Sequence, residues 1–347
     1  MRSFDVHLVG SIPLGDAQTV FETVATVLGP KLLRIPDGET GERSGWMGWL
    51  ETDFRRHPGL ELTDETYQPH SQGKRTSRYG LKAGVAPERL AFNQLRHGDF
   101  AIESYQTFSR LKRAGKIPPA CRFQFALAHP IAVATHYAAE TLQPAFEHAY
   151  EQGLLAQIEK MMAVIPPDQL AIQWDVASAI FAPLQNATPN RHGRTKEEML
   201  ETFSASCVRL GAGVPATVDL IYHLCYGDSN HRHAVEPVST ADMVDVATRV
   251  SAGLRRTIQL FHMPVPRDRA DDDYFRPLSR LRLGPQTRIS LGLVHLTDGQ
   301  AGAERRIAAA QKHLADFLIA TECGFGRRPP ATIPALLELH ARLAGLR

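Results

Sequence analysis

The stretch Val218-Asp-Leu-Ile-Tyr-His-Leu-Cys225 has the pattern of a buried β-strand that runs directly into the loop Tyr226-Gly-Asp-Ser. Residues i and i+2 of an extended chain point to the same side, so His223 and Cys225 share one face of this strand. An imidazole and a thiolate are both zinc ligands, but two ligands do not make a zinc site. The fold of the rest of the chain decides whether other ligands come close to them.

The composition is that of an ordinary globular protein, with 347 residues, 43% hydrophobic residues and a formal net charge of +2. The nearly neutral charge gives no reason to expect nucleic acid or an acidic membrane as a partner. No apolar run approaches the ~20 residues that a membrane helix requires, and the first residues do not resemble a signal peptide. We therefore expect a cytoplasmic protein that acts on a small molecule, with a homo-oligomeric assembly left open.

Short apolar runs that predict β-strands alternate with helical patterns along the whole chain. The runs are residues 5–11, 31–36, 122–128, 170–174, 218–225, 257–261, 289–294 and 318–321. Eight strands alternating with helices predict an α/β fold of the (β/α)8 TIM-barrel type, and no glycine-rich phosphate motif favours an open doubly wound sheet instead. We predict one catalytic domain over residues 1–347, with residues 44–84, after the second strand, forming an elaborated, lid-like loop region.

Active sites of such barrels lie at the carboxyl ends of the strands. In this chain nearly every predicted strand ends in a polar or metal-binding residue. These residues are Gly10 with Ser11, Asp37 or Glu39, His129, Asp175, His223 with Cys225, His262, His295 with Asp298, and Cys323. Histidine and cysteine at this one position in successive strands indicate an active site. Cys121 and Cys207 lie elsewhere and are expected to be small buried hydrophobic residues.

The predicted metal ligands are His223, Cys225 and Cys323, which come from the fifth and eighth strands. Zinc accepts two thiolates and one or two nitrogens in a tetrahedral arrangement, and three protein ligands suffice for a catalytic ion. In the alternative interpretation, the cysteines are buried hydrophobic residues and the histidines are hydrogen-bonded loop residues. That interpretation explains any one of these residues better than it explains the set.

The His-x-Cys after the fifth strand and the Cys-Gly after the last resemble the catalytic barrel of cobalamin-independent methionine synthase. This family belongs to a larger group of barrels that includes uroporphyrinogen decarboxylase. Three further segments agree in the same order along the chain. Val9-Gly-Ser-Ile-Pro13 is similar to the family's Gly-Ser-Phe/Tyr-Pro, and Ile172-Gln-Trp-Asp175 to its Ile-Gln-x-Asp-Glu-Pro. Glu322-Cys-Gly-Phe-Gly-Arg-Arg328 is similar to its closing Asp-Cys-Gly-Leu-Lys-Thr-Arg.

The resemblance implies a zinc-dependent methyl or other alkyl transferase, in which zinc activates a small thiol that attacks a methyl group on a folate-type donor. It implies that His223, Cys225 and Cys323 bind the zinc. It also implies that Gly10 and Ser11 receive an amino-acid-like carboxylate and that Asp175 receives the ammonium group. Together with the other strand ends, the expected substrate-binding residues are Gly10, Ser11, Asp37, Glu39, His129 and Asp175.

Two departures from the family concern the metal and the amino-acid site. The family's fourth ligand is a glutamate on the sixth strand, where this chain has Phe261-His262-Met263. His262 is expected either to bind the metal or to act as a general base beside it. The Glu-Pro that follows the family's strand-four aspartate is Val176-Ala177 here, which weakens methionine synthesis as the specific reaction.

Three other functions stay open at this point. The same zinc would also serve lyase or hydrolytic chemistry, with His262 or His295 as acid or base and Asp298 nearby. A metal-free decarboxylase of the uroporphyrinogen decarboxylase type is less favoured, because its arginine-rich N-terminal signature is missing. A barrel that only binds a ligand would leave the histidines and cysteines at the strand ends without a purpose.

Overall fold

The computed structural model describes residues 3–68, 75–228 and 232–346. In these residues a parallel sheet of seven strands has the order β1-β4-β5-β6-β7-β8-β9, with helices between successive strands. The strands are β1 (Arg34–Pro36), β2 (Leu60–Tyr67), β3 (Thr76–Leu81), β4 (Arg122–Ala128), β5 (Leu170–Val176), β6 (Asp219–Leu224), β7 (Leu260–Pro264), β8 (Arg288–Gly292) and β9 (Leu318–Ile319).

Eleven α-helices lie within the described residues, and none of them is long and apolar enough to cross a membrane. The helices are α1 (Ala17–Leu28), α2 (Leu50–Arg55), α3 (His97–Arg113), α4 (Pro130–Tyr137), α5 (Gln143–Met162), α6 (Ser178–Asn186), α7 (Lys196–Ala212), α8 (Ala241–Gly253), α9 (Asp272–Phe275), α10 (Gly299–Gln311) and α11 (Ile333–Leu343).

The segment predicted as the first strand, residues 5–11, does not form a strand. Val6 makes single parallel bridges to Leu32, next to β1, and to Ile319 in β9, so the segment lies between the two edges of the sheet. Ser11 makes a further single bridge to Gly38, and no ladder forms between these bridges. The prediction of a parallel α/β sheet that curls, with helices between its strands, is therefore confirmed. Seven strands of this sheet lie among the described residues, and the eight-stranded barrel stays a prediction.

Side chains inside the curl form an apolar layer below a polar one. Ala171, Ile221, Leu260 and Leu318 come from four strands and form a small cluster of their own, apart from the main hydrophobic core. Because side chains alternate along a strand, residues two positions further on point to the same interior. On β5, β6 and β7 those residues are Gln173, His223 and His262, and all are buried. The polar layer therefore lies at the carboxyl ends of the strands.

The region 44–84 contains α2 and an antiparallel hairpin of β2 and β3, while residues 69–74 within it lie outside the described part of the chain. The hairpin joins the body of the protein where Ala139 donates a backbone hydrogen bond of 2.9 Å to Tyr79. Ahead of α2, Trp46 reaches Asp175 at the end of β5. The region thus contacts the carboxyl ends of the strands, while its action as a lid and the single-domain organisation stay predictions.

Candidate metal centre and adjoining cavity

His223, Cys225 and Cys323 converge, with one potential ligand atom from each lying within 4.8 Å of the others. The Sγ of Cys323 is 3.8 Å from Nε2 of His223 and 4.0 Å from Sγ of Cys225. Tetrahedral zinc with ordinary bond lengths separates a sulfur and a nitrogen by ~3.6 Å and two sulfurs by ~3.8 Å. Shifts of a few tenths of an ångström would therefore bring both measured distances to the values of a zinc site.

Backbone hydrogen bonds hold the two cysteines in place. The N–H of Cys225 donates to the carbonyl of Val176, which continues the pairing of β6 with β5 by one residue at 2.8 Å. The N–H of Gly227 then points at Sγ of Cys225 from 3.3 Å, where it would stabilise a thiolate. On the other side of the site, the hydroxyl of Thr321 donates to the carbonyl of Cys323 at 2.7 Å.

The electrostatics of the cysteine pair favour a bound cation. The contact with Cys225 and the burial of the group raise the pKa of the Cys323 thiol well above its ordinary value. A thiolate at this place therefore requires a positive charge, and a zinc ion supplies one by deprotonating the thiols that bind it. Two sulfurs and an imidazole nitrogen are also a common donor set for zinc. The residues present fit the ion that the resemblance implies.

His262 lies directly behind His223 and is completely buried. Its Nδ1 is 2.7 Å from Nδ1 of His223, and its Nε2 is 3.0 Å from the carbonyl oxygen of Thr321. Burial lowers the pKa of His262 to about 3 and that of His223 well below its ordinary value, so both rings are neutral near pH 7. Both nitrogens of His262 already have partners, and its predicted role as a metal ligand stays a prediction.

A cavity beside the candidate metal ligands contains two buried carboxyl groups, those of Glu39 and Asp175. Asp175 is paired in register with His223 on the neighbouring strand, which places it next to the ligand group. Burial and then the charge of Glu39 raise the pKa of Asp175 to about 8, and burial raises the pKa of Glu39 as well. The guanidinium of Arg43 lines the same cavity and opposes the rise in the pKa of Glu39. The remaining space, about 20 Å³, has room for one small group, and beside two buried carboxyl groups a positive group such as an ammonium suits it better than a negative one.

Polar contacts fix the positions of these two carboxyl groups. Asp175 accepts one hydrogen bond from Trp46 Nε1 at 3.1 Å and another from Gln173 Nε2 at 2.9 Å. Glu39 accepts a short hydrogen bond from the hydroxyl of Ser11. The predicted substrate residues Ser11, Glu39 and Asp175 are thus close together. The hydrogen bond from Trp46 to Asp175 was not predicted, because Trp46 lies in a segment without a periodic pattern.

Backbone strain is concentrated at the same cavity. Among the residues that the structure describes, three that are not glycine have positive φ, and two of them, Glu39 (φ 50°) and Trp46 (φ 61°), line this cavity. The turn before Glu39 depends on Gly38, with φ 80°, because a Cβ at that position would lie 2.7 Å from a methyl group of Val20. Strained conformations of this kind are often found at functional sites, where surrounding contacts hold them in place.

Gly10 and Asp37 support the turn that carries Glu39. A Cβ on Gly10 would lie 3.2 Å from a carboxyl oxygen of Glu39, so glycine leaves room for that group. Asp37 forms a buried ion pair with Arg43 and accepts the backbone N–H of Glu39 at 3.1 Å. Neither Gly10 nor Asp37 lines the cavity, and their contacts place them one layer behind the carboxyl group of Glu39.

His129 has a structural position at the start of α4. Its Nδ1 accepts the backbone N–H of Ile131 at 3.2 Å, and its Nε2 faces Sγ of Cys207 on α7 at 3.8 Å. It is fully buried and does not line the cavity. The contacts therefore explain His129 as a helix cap and give no support to its predicted role in substrate binding. Cys121 and Cys207 are buried, as their interpretation as small hydrophobic residues requires.

A second cavity opens beside Cys323, and His295 is among the residues around it. His295 Nε2 lies 2.9 Å from the carbonyl of Val265, which leaves only Nδ1 for a substrate. Nearby, His233 contacts Glu322 at 2.5 Å and Glu236 at 2.9 Å. Burial alone would lower the pKa of His233, but these two carboxylates raise it to about 9. The positively charged His233 beside the site was not predicted from the sequence, where it lies in an irregular segment.

Asp298 is held in an ion pair. Arg306 approaches it with two N–H groups at 2.7 and 2.9 Å, and the same guanidinium donates to the carbonyls of Leu293 and Arg267 at 2.9 and 2.6 Å. The pair joins the start of α10 to the end of β8 and the loop after β7. These contacts explain Asp298 as a structural residue, and its predicted catalytic role finds no support in them.

Replacing Arg306 with methionine is expected to lower the free energy of unfolding by roughly 3–5 kcal/mol, because Asp298 and two carbonyls lose a buried charged partner. Arg305 is the control, because it also approaches Asp298, at 3.7 Å, but its side chain is 64% exposed while that of Arg306 is 1% exposed, and exposed ion pairs contribute little to stability. Denaturant unfolding of Arg306→Met and Arg305→Met should show a large loss only in the first. Equal stability of the two variants would contradict the structural role of the pair.

Comparisons with known proteins identify relatives by structure alone, since no family profile and no curated protein matches the sequence. A protein from Listeria monocytogenes, provisionally described as a vitamin-B12-independent methionine synthase, has a TM-score of 0.57 at 15% identity, covering 99% of this chain and 98% of its own. A B12-independent methionine synthase from Shewanella sp. W3-18-1, solved in complex with selenomethionine, has a TM-score of 0.61 at 12% identity, and the match covers 99% of this chain and 97% of that protein. A methyltransferase from Methanosarcina mazei has a TM-score of 0.53 at 11% identity, and the match covers 99% of this chain and 95% of that protein. At such low identity these likenesses establish a shared fold over nearly the whole chain.

Proposed function

We propose that this chain is a zinc-dependent alkyl transferase, with methyl the expected group, that acts on a small thiol carrying a positive charge. The observation that carries the proposal is the convergence of His223, Cys225 and Cys323 within 4.8 Å, with Asp175 beside His223 on the adjacent strand. A sulfur-rich metal site next to a cavity with two carboxyl groups suits a molecule that combines a thiol with an ammonium group. The shared fold with methionine-synthase-like and methyltransferase structures supports the same reaction class.

Each part of the site has a task in this proposal. Bound zinc would keep the substrate sulfur as a thiolate at neutral pH and so make it nucleophilic. Glu39 and Asp175 bind the ammonium group and thereby fix the direction of the sulfur. Trp46 covers Asp175 and excludes water from the charged contact. A new sulfur–carbon bond forms as the bond between the alkyl group and its donor breaks.

The second cavity is the proposed place of the alkyl donor. Cys323 itself lines this cavity, whereas the cavity with the two carboxyl groups adjoins the ligands only through Asp175, the strand neighbour of His223. In the proposal, the two substrates therefore approach the ligand group from different sides. Its lining carries both signs of charge, and Arg327 and Arg267 are paired with Asp228 and Asp268. Arg328, next to Cys323 in the same lining, is the residue that we propose meets the negative charge of a donor such as one of folate type.

The alternative functions find less support in the contacts. Lyase or hydrolase chemistry requires His262 or His295 to exchange protons with a substrate, but both nitrogens of His262 and one of His295 are already hydrogen-bonded. A metal-free decarboxylase leaves the two adjacent sulfurs unexplained.

Thiol ligation tests the proposal directly. Zinc-loaded protein is mixed with cysteamine, which has an ammonium group, or with 3-mercaptopropionate, which has a carboxylate, and zinc K-edge absorption is recorded. We expect cysteamine to add one sulfur to the two contributed by Cys225 and Cys323. The carboxylate thiol should bind at least about tenfold more weakly, because it would face Glu39 and Asp175.

Alkyl transfer is then measured with the thiol that binds best and an N-methylated folate, by mass analysis of the thioether product. A zinc spectrum that stays the same with every thiol would rule out the proposed nucleophile. Tighter binding of 3-mercaptopropionate than of cysteamine would instead refute the role given to the two carboxyl groups.

A further inference from the structure

We infer that His262 is a positioning residue that fixes the ring of His223, accepting its Nδ1–H so that the unprotonated Nε2 faces the two cysteines. The inference rests on the proposed zinc site and deepens it, because it concerns how this chain prepares one ligand. It also assigns His262 a role other than that of a fourth ligand.

The direction of each hydrogen bond follows from the partner at the far end. The carbonyl oxygen of Thr321 can only accept, so His262, at 3.0 Å, must carry its proton on Nε2. A neutral imidazole has one proton, which leaves Nδ1 of His262 as an acceptor. The short contact of 2.7 Å between the two Nδ1 atoms is therefore a hydrogen bond donated by His223.

The other nitrogen of His223 is then the one without a proton. Its Nε2 lies 3.8 Å from Sγ of Cys323, on the side where the three candidate ligands converge. A metal binds an imidazole through the unprotonated nitrogen, and an outer hydrogen bond to the other nitrogen fixes both the tautomer and the ring orientation. The chain of contacts thus prepares His223 for a metal before any ion is bound.

The reverse direction is disfavoured by burial. If His223 were the acceptor, His262 would have to be a doubly protonated cation or turn an unprotonated nitrogen towards the carbonyl of Thr321. The exposed fraction is 0% for His262 and 3% for His223, and an unpaired charge or a repelled lone pair at this depth is costly.

The two hydrogen bonds of His262, from His223 and to Thr321, also join the two segments that carry the ligands. Thr321, which holds His262, comes two residues before Cys323, while His223 comes two residues before Cys225. His262 therefore links the position of the segment with Cys225 to that of the segment with Cys323, although the two cysteines are 98 residues apart in the sequence. Loss of His262 should therefore loosen the site while leaving every ligand present.

The test compares His262→Asn with His262→Leu. Neither variant has an imidazole, but asparagine keeps an acceptor near the position of Nδ1, whereas leucine does not. We expect the zinc affinity of His262→Leu, measured by competition with a chromophoric chelator, to fall by roughly 10–100-fold, as for other outer hydrogen-bonding partners. His262→Asn should stay within about threefold of the original protein. Equal, larger losses in both variants would identify His262 as a direct ligand and overturn the inference, as would unchanged affinity in His262→Leu.

Nitrogen-15 NMR of the unaltered protein gives a readout that does not depend on how the variants fold. The signals of His223 are assigned by their absence from His223→Asn, and we expect a proton on Nδ1 and none on Nε2 in zinc-free protein. The opposite tautomer would overturn the inference. If the expected tautomer of His223 is observed and zinc binds, but no thiol binds the zinc, the inference stands while the proposed alkyl transfer fails.

Discussion

Serine in place of Cys225 or Cys323 is expected to reduce bound zinc from about one ion per chain to almost none. A serine hydroxyl is similar in size to a thiol, but it does not ionise near neutral pH and is a poor substitute for a soft thiolate ligand. The loss should exceed the roughly 10–100-fold that removal of an outer hydrogen-bonding partner costs, because a bond to the metal itself disappears. Metal analysis of purified protein, after dialysis against a weak chelator, measures the effect.

The control for this experiment is the same substitution at a cysteine outside the site. Cys121 is buried ahead of β4 and is not a member of the converging group. Cys121→Ser should therefore keep its zinc even if it loses some stability. Equal zinc in Cys121→Ser and Cys225→Ser would show that the metal binds elsewhere, and metal-free original protein would refute the zinc site altogether.

The candidate ligands could be predicted from the sequence because two simple regularities determine their positions. Alternation along an extended strand places His223 and Cys225 on one face, and the carboxyl ends of parallel strands meet at one edge of the sheet. Cys323 follows the last predicted strand, so the same rule brings it to that edge. In the structure these three side chains do converge, although they are separated by up to 100 residues.

The same rule predicts which residues reach the edge of the sheet but not what their side chains contact there. His129 and Asp298 occupy equivalent positions, yet one caps a helix and the other pairs with a buried arginine. Their partners, Cys207 and Arg306, lie on helices, and a strand-end pattern contains no information about them. The contacts of His262 were equally hidden, since periodicity shows which face a ring occupies but not which nitrogen meets which atom.

The lack of a strand at the first predicted position has a different physical reason. Residues 5–11 have the apolar character of a strand, but a strand exists only where its neighbours offer a continuous row of partners. Here the segment lies between the two edges of the sheet and makes only isolated bridges, from Val6 to Leu32 and Ile319 and from Ser11 to Gly38. Tertiary context of this kind cannot be deduced from the segment itself.

Replacing Asp175 with asparagine is expected to make the pH dependence of stability flatter while it weakens binding of a positively charged thiol. The folded protein holds the pKa of Asp175 at about 8, mainly through burial and the nearby Glu39, whereas an unfolded aspartate titrates at about 3.9. Between these values the folded protein binds a proton that the unfolded chain has released, so a rise in pH favours unfolding. This contribution to stability is present at low pH and is lost as the pH rises towards 8.

Asparagine at position 175 does not titrate and is free of that loss. The free energy of unfolding of zinc-free Asp175→Asn, relative to that of the original protein, should rise by up to roughly 1.4 kcal/mol per pH unit between about pH 5 and pH 8. Any cost of placing the new amide beside Trp46 and Gln173 is the same at every pH and does not change this slope. Denaturant unfolding at several pH values measures the difference. The matched control is Asp298→Asn: burial raises the pKa of Asp298, but its pair with Arg306 outweighs burial and lowers the pKa overall, so this group is ionised in both states between about pH 5 and pH 8 and the control should show no pH dependence there. A pH-independent difference for Asp175→Asn would mean that its carboxyl group is already ionised in the folded protein. In that case the cavity holds a fixed negative charge beside His223 even without a cationic substrate.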